Sequence, residues 1–110
     1  MVQSARDQVV SEAAVVRACG REMDERDGCF HFNVGGQNGV TGLPDHVCFY
    51  RGIGLLIEYK RPHGGRLSAR QAWVHECARK AGVRVVIARC RADVADALDQ
   101  IDFESKGRAR

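Results

Sequence analysis

Three side chains in this sequence could do hydrolytic chemistry together: Asp45, Glu58 and Lys60. Twelve residues separate the first two and one separates the last two. Two apolar runs, about Asp45 to Arg51 and Leu55 to Lys60, flank Arg51-Gly52-Ile53-Gly54, and both read as strands. Gly52 at the first central position suits a two-residue type II′ turn. Arg51 then pairs with Gly54, Val47 with Glu58 and Asp45 with Lys60. Paired side chains share a face, so Asp45, Glu58 and Lys60 are expected on one face at one end of the hairpin. Asp45 and Glu58 become diagonal neighbours, with Cβ atoms roughly 7–8 Å apart or less. Two carboxylates at that spacing can hold one hard cation between them. Glu58 and Lys60 also end a strand containing Leu55, Leu56 and Ile57, where charges are costly unless paired or bound to an ion. The plainer alternative is a Glu and a Lys at a solvated strand end, with Asp45 a turn residue after Pro44.

The rest of the chain must position this hairpin. Ser4 to about Cys19 reads as a helix with Ser4 as N-cap, Val9, Ala13 and Val16 along one face, and Gly20 as its stop. Arg21 to Gly28 is charged and expected in solvent. Cys29 to Val34 is a short strand candidate, followed by the glycine-rich stretch Gly35 to Gly42. Both hairpin strands are apolar on both faces, so the pair needs cover from helices. After the Arg61 to Arg66 loop, a helix is expected from Ser68 to about Ala81, ending at Gly82. Val83 to Ala88 is β-branched and reads as a buried strand. A last helix covers about Ala92 to Ile101, before a basic tail over about 105–110. The order α-β-β-β-α-β-α predicts an α/β fold with a mixed central sheet flanked by helices.

Length and composition agree with one domain over 1–110. With 45% hydrophobic and 28% charged residues, the chain is too apolar for disorder and too interrupted for a membrane protein. The first residues lack the apolar stretch of a secretory signal, which places the protein in the cytoplasm or nucleoplasm. A formal charge of +3 hints weakly at an anionic partner. The five cysteines are scattered without a C-x-x-C pair, so they read mostly as small apolar core residues rather than a disulfide or zinc framework.

Gly42-Leu43-Pro44-Asp45, a short spacer and Ile57-Glu58-Tyr59-Lys60 resemble the PD-(D/E)XK nuclease signature. The early helix with Glu12, Leu67-Ser68 followed by Gln71, and the valine-rich strand after Gly82 extend the likeness. Together these features resemble the virus-type replication-repair nuclease (VRR-NUC) domain, in its stand-alone viral or bacterial form, from about Glu12 to Cys90. The resemblance implies a restriction-endonuclease-like core and an endonuclease that hydrolyses phosphodiester bonds. Asp45 and Glu58 would bind Mg2+ or Mn2+, aided by the backbone carbonyl of Tyr59, with no organic cofactor. Lys60 would stabilise the transition state, Glu12 would reach the metal, and Gln71 would lie near the site. It further implies branched DNA as substrate, and most specifically a homodimer resolving four-way (Holliday) junctions in a bacterial or virus-infected cell.

Several of these residues carry plainer readings. Glu12 has Val9, Val15 and Val16 as helical neighbours and no lysine at i+4, so it either snorkels or points at something inside. Ser68-Ala69-Arg70-Gln71 is a capping box. Arg61, His63, Arg66 and Ser68 could hold DNA phosphates, though solvated loop charges would look the same. Trp73, with Ala69, Cys77 and Ala81 at helical spacing, reads as a core residue rather than a base-stacking platform. Rival functions are a flap or duplex nuclease of the same fold and a catalytically silent nucleic-acid-binding module.

Overall fold

The computed structural model describes residues 10–34 and 41–108. The elements are α1 (Glu12–Asp24), β1 (Cys29–Asn33), β2 (His46–Tyr50), β3 (Ile53–Tyr59), α2 (Ala69–Lys80), β4 (Arg84–Ala88) and α3 (Arg91–Arg108). The fold is mixed α/β, with a four-stranded sheet in the order β1-β2-β3-β4. β1, β2 and β3 are antiparallel neighbours, and β4 pairs parallel to β3 after the α2 crossover. No helix among the described residues is long and apolar enough to cross a membrane.

One face of the sheet carries the core. Cys48 and Tyr50 of β2, and Leu55, Ile57 and Tyr59 of β3, pack against Val15, Cys19 and Met23 of α1 and Val94, Leu98 and Ile101 of α3. Each helix offers a stripe at three- and four-residue spacing, the period that buries one side of a helix. Charges at the helix margins tie the layer together: Arg26, just past the end of α1, bridges Glu22 of that helix to Asp99 and Asp102 of α3, and Arg91 reaches back to Glu22.

Four sequence expectations change. The expected N-cap Ser4 lies outside the described residues; Ser11 caps α1, its side chain accepting from the Ala14 amide. The helix also runs through Gly20 to Asp24, because Met23 is fully buried and rewards the extra turn. The C-terminal stretch is helical to Arg108 rather than a frayed tail from Ser105. Cover of the hairpin is partial on its second face, where α2 meets only the Glu58 end. On the face away from α1 and α3, Phe30, Phe32 and Phe49 are 63%, 44% and 45% exposed. Of the cysteines, Cys19 and Cys48 are buried and Cys29 is half-buried, whereas Cys77 and Cys90 are exposed.

The hairpin turn also moves. Tyr50 pairs with Ile53, so Arg51 and Gly52 form the turn. Both have positive φ, 52° and 79°, the signature of type I′, whose twist matches the flanking strands. Shifting the turn by one residue shifts the pairing by two. Face parity therefore survives, and Asp45 and Glu58 still share a side. One step beyond the last pair, His46 with Ile57, Asp45 falls directly across from Glu58 instead of Lys60. Directly opposed positions have Cβ atoms about 4.5–5.5 Å apart, closer than the diagonal the sequence suggested.

Candidate active site

Glu58 is the centre of the polar end of the sheet. It points to the α2 side, at 1% exposure, among groups that all hold it. Its Oε1 lies 3.2 Å from His75 Nε2, and its Oε2 accepts from Gln71 Nε2 at 3.0 Å. Burial, and then the hydrogen-bonded Asp45 carboxyl and its charge, push the Glu58 pKa up to about 8. Two carboxyl groups this close cannot both ionise cheaply without a cation. Asp45 is fixed independently: its Oδ2 accepts from the Tyr59 amide at 2.8 Å, and its carbonyl accepts from Val34 N at 2.9 Å.

Lys60 follows on the same face, half-buried. Its Nζ donates to Gln71 Oε1 at 3.1 Å. The same oxygen accepts from the Ser68 amide at 2.9 Å, while Ser68 Oγ accepts from Gln71 N at 3.0 Å. Gln71 is thus both the capping-box residue of α2 and the bridge between Glu58 and Lys60. The two readings of its sequence position are both met in geometry.

Glu12 stands at the first turn of α1, exposed, in the usual place for an acid beside the positive end of a helix. Its charge is near enough to contribute to the raised Glu58 pKa. No hydrogen bond joins it to the Asp45–Glu58 set among the described residues. Tyr59 contributes backbone only, since its ring is buried on the opposite, core face. Arg61, His63 and Arg66 are exposed in the loop between Lys60 and α2, and Ser68 is exposed at the α2 N-cap. Arg89 straps this loop down, its Nη1 donating to the carbonyls of Arg61 (3.2 Å) and Gly65 (2.7 Å). Of the glycine-rich stretch, residues 35–40 lie outside the described residues.

Gly42 sets the approach to Asp45. Its φ of +84° favours glycine, and a Cβ there would stand 2.6 Å from Arg70 Cγ and 3.1 Å from Val74 Cγ2. The close approach locks the loop before Asp45 onto α2. Gly42→Ala should therefore strain the backbone and displace Asp45, lowering stability by about 1–3 kcal/mol and any activity of the site with it. Thermal melting alongside an activity assay checks this; an alanine variant matching wild type in both contradicts it.

Sequence reasoning missed His75 and Arg89, and it placed Trp73 in the core. His75 is fully buried, and burial, with the Arg79 and Lys60 charges, lowers its pKa, so it faces Glu58 as a neutral ring. Its position four residues after Gln71, on the same helix face, was the available signal. Trp73 is 57% exposed. The other histidine pair, His31 and His46 (Nδ1 to Nε2, 2.8 Å), with Asp24 2.6 Å from His31, lies on the core face, away from the carboxylates.

The donor set fits a divalent cation in one respect and is incomplete in another. A buried carboxyl beside a second one, with its charge disfavoured, is what a hard cation with oxygen ligands relieves. Yet no group of three His, Cys, Asp or Glu among the described residues is arranged around one point. Asp45 and Glu58 would be the two side-chain ligands, with water completing the shell as Mg2+ prefers. No known family model matches the chain, and no curated protein is significantly similar to it.

Proposed function

We propose that this protein is a metal-dependent endonuclease that hydrolyses phosphodiester bonds in branched DNA, acting as a homodimer on four-way junctions. The observation that carries the chemistry is the buried Glu58 carboxyl beside Asp45, with Lys60 tied to the same group through Gln71. The likeness of the Pro44-Asp45 and Glu58-Tyr59-Lys60 motifs to the VRR-NUC domain of PD-(D/E)XK nucleases supports the reaction and the substrate class.

In this reading Asp45 and Glu58 would hold Mg2+ or Mn2+, which would supply Lewis-acid chemistry at the phosphate and at water. The chain's own groups do the rest. Gln71 and His75 keep Glu58 in one rotamer, so the two carboxylates need no rearrangement at the moment of reaction. Gln71 Oε1 orients the Lys60 ammonium toward the same space, where it stabilises charge developing on the phosphate. Lys60 serves as an electrostatic group, its Nζ held by Gln71 Oε1. Arg61, His63 and Arg66 lie where flanking phosphates would pass. Among the described residues none of these three is in an ion pair, which leaves them available to DNA.

The bare aromatic face supports a second copy as the partner. Phe30, Phe32 and Phe49 form one cluster, with ring centroids 5.6–6.5 Å apart. A groove of about 410 Å³ continues it past Val47, Gly54, Leu56 and Val83. The three rings leave roughly 300 Å² of apolar surface in water, comparable to the largest patch of an ordinary monomer and able to seat the centre of a face of about 800 Å² per partner. The patch bears no charge of its own, Arg84 at its rim being paired with Glu104. It can therefore meet its own copy across a two-fold axis without repulsion. Phe49→Asp is expected to give a monomer by light scattering. It should also lose paired junction cuts while keeping single-strand nicking; a dimeric Phe49→Asp protein contradicts this surface.

The test of the function is cleavage of a labelled four-way junction, a flap and a plain duplex in Mg2+, with the product ends determined. Paired, symmetric junction cuts leaving 5′-phosphates are expected. Cutting only the flap or the duplex keeps the active site and removes the junction assignment.

A further inference from the structure

We infer that Trp73 and Arg70 form a stacking platform for an unpaired nucleobase on the outer face of α2. This deepens the nuclease reading and rests on it. Trp73 is the sole tryptophan of the chain, and more than half of its surface is in water. Burying a ring that size would stabilise the fold, so leaving it on the outside of a small domain forgoes a large contribution.

The ring is oriented. The Arg70 guanidinium carbon lies 4.8 Å from its centroid, a cation–π pair one helical turn away. Arg70 is held in turn: its Nε reaches the Thr41 carbonyl at 3.4 Å, and its stem packs against Gly42. The platform is therefore braced by the loop that delivers Asp45. It also shares a helix with Gln71, which touches both Glu58 and Lys60. Trp73 faces outward on α2, away from the Gln71 and His75 side that meets Glu58, so a base resting on it would lie across the helix from the carboxylates at a fixed offset. The nearest acid along the helix, Glu76, turns to Arg79 at 3.9 Å, which leaves the approach free of an unpaired negative charge.

An aromatic face beside a cation is the chemistry that binds single-stranded nucleic acid, the ring taking the base and the guanidinium the phosphate. The phenylalanine face of the sheet lacks such cations and does not share this character. Within a continuous duplex both faces of each base are already stacked on neighbours. Only a base at a branch, flap or frayed end offers a free face, so Trp73 selects DNA with unpaired nucleotides.

The test uses the full-length protein carrying Asp45→Asn, which stops cutting, with labelled four-way junction and flap DNAs and a matched duplex. Binding is followed by anisotropy of the label and by emission from Trp73. Branched DNA should quench that emission at the same concentrations that raise the anisotropy. Adding Trp73→Ala should weaken binding to branched DNA by about tenfold, with duplex binding unchanged, and Trp73→Phe should restore most of it. Full anisotropy change with unaltered tryptophan emission overturns the platform, as does equal weakening on branched and duplex DNA. These outcomes leave the nuclease reading standing. Absence of both DNA binding and cleavage by the wild type overturns the reading and the platform together.

Discussion

Asp45→Asn and Lys60→Ala should each reduce Mg2+-dependent strand cleavage by at least about 10²–10³-fold while leaving the fold intact. The two substitutions act on different terms. Asparagine keeps an oxygen that can accept from the Tyr59 amide, now 2.8 Å from Asp45 Oδ2, so the loop stays in place. What is lost is a negative charge opposite Glu58, and with it half of the proposed side-chain cation site. Lys60→Ala removes the ammonium that Gln71 orients, and leaves Gln71 Oε1 still satisfied by the Ser68 amide. Neither change opens a core cavity, because both side chains lie on the polar end of the sheet. Lys60→Arg should rescue poorly, since a planar guanidinium does not reproduce a compact point charge. Single-turnover rates with circular dichroism melts check the pair. A fast, well-folded Asp45→Asn enzyme would remove the carboxylate from the chemistry.

The second large effect is on stability. Glu58 has a folded pKa of about 8 against an ordinary value of 4.5, because it is buried beside Asp45. Below about pH 4.5 it is protonated whether folded or unfolded, and the shift has no effect. As pH rises from there, the unfolded chain releases a proton that the folded chain retains, so stability falls until the folded group also ionises near pH 8. The full loss is roughly 3–5 kcal/mol, enough to lower the melting temperature of a domain this size by roughly 10 °C or more. A cation that binds only the folded state reverses the loss by mass action, by about 2.7 kcal/mol at a hundred times its Kd. The metal-free protein should therefore melt lower at pH 8 than at pH 5, and Mn2+ should raise the melting temperature at pH 8 with little effect at pH 5. Glu58→Gln can still bond to His75 and Gln71, and should flatten both the pH slope and the Mn2+ response. A slope that persists in Glu58→Gln would assign it to another group.

The part of the site legible in the sequence was the part governed by strand parity. Asp45 and Glu58 share a face for any even shift of register, so misplacing the turn by one residue did not separate them. The turn itself was misread because Gly52 suited the first position of one turn type, whereas the structure uses it second. Arg51 takes a left-handed conformation that its residue type does not advertise. Gly20 pointed to a helix end, but a local penalty of about 1 kcal/mol is outweighed by burying Met23 one turn later. Trp73 shows the limit of hydrophobic phasing. The stripe Ala69, Trp73, Cys77, Ala81 looked like the inward face of α2. The true inward face includes Gln71, Val74 and His75, because this helix covers Glu58 rather than an apolar core. Polar residues therefore face in and a tryptophan faces out.

The measurement that tests the central claim most directly is cleavage of one end-labelled four-way junction by three samples: wild type in Mg2+, wild type with excess chelator, and Glu58→Gln in Mg2+. The expected result is cutting in the first alone, with the protein equally folded in all three samples. Cleavage that survives chelation or the loss of the Glu58 charge would contradict a carboxylate-held metal. An inert wild type, on this and on flap and duplex DNA in either Mg2+ or Mn2+, would contradict the enzyme itself and leave a nucleic-acid-binding module.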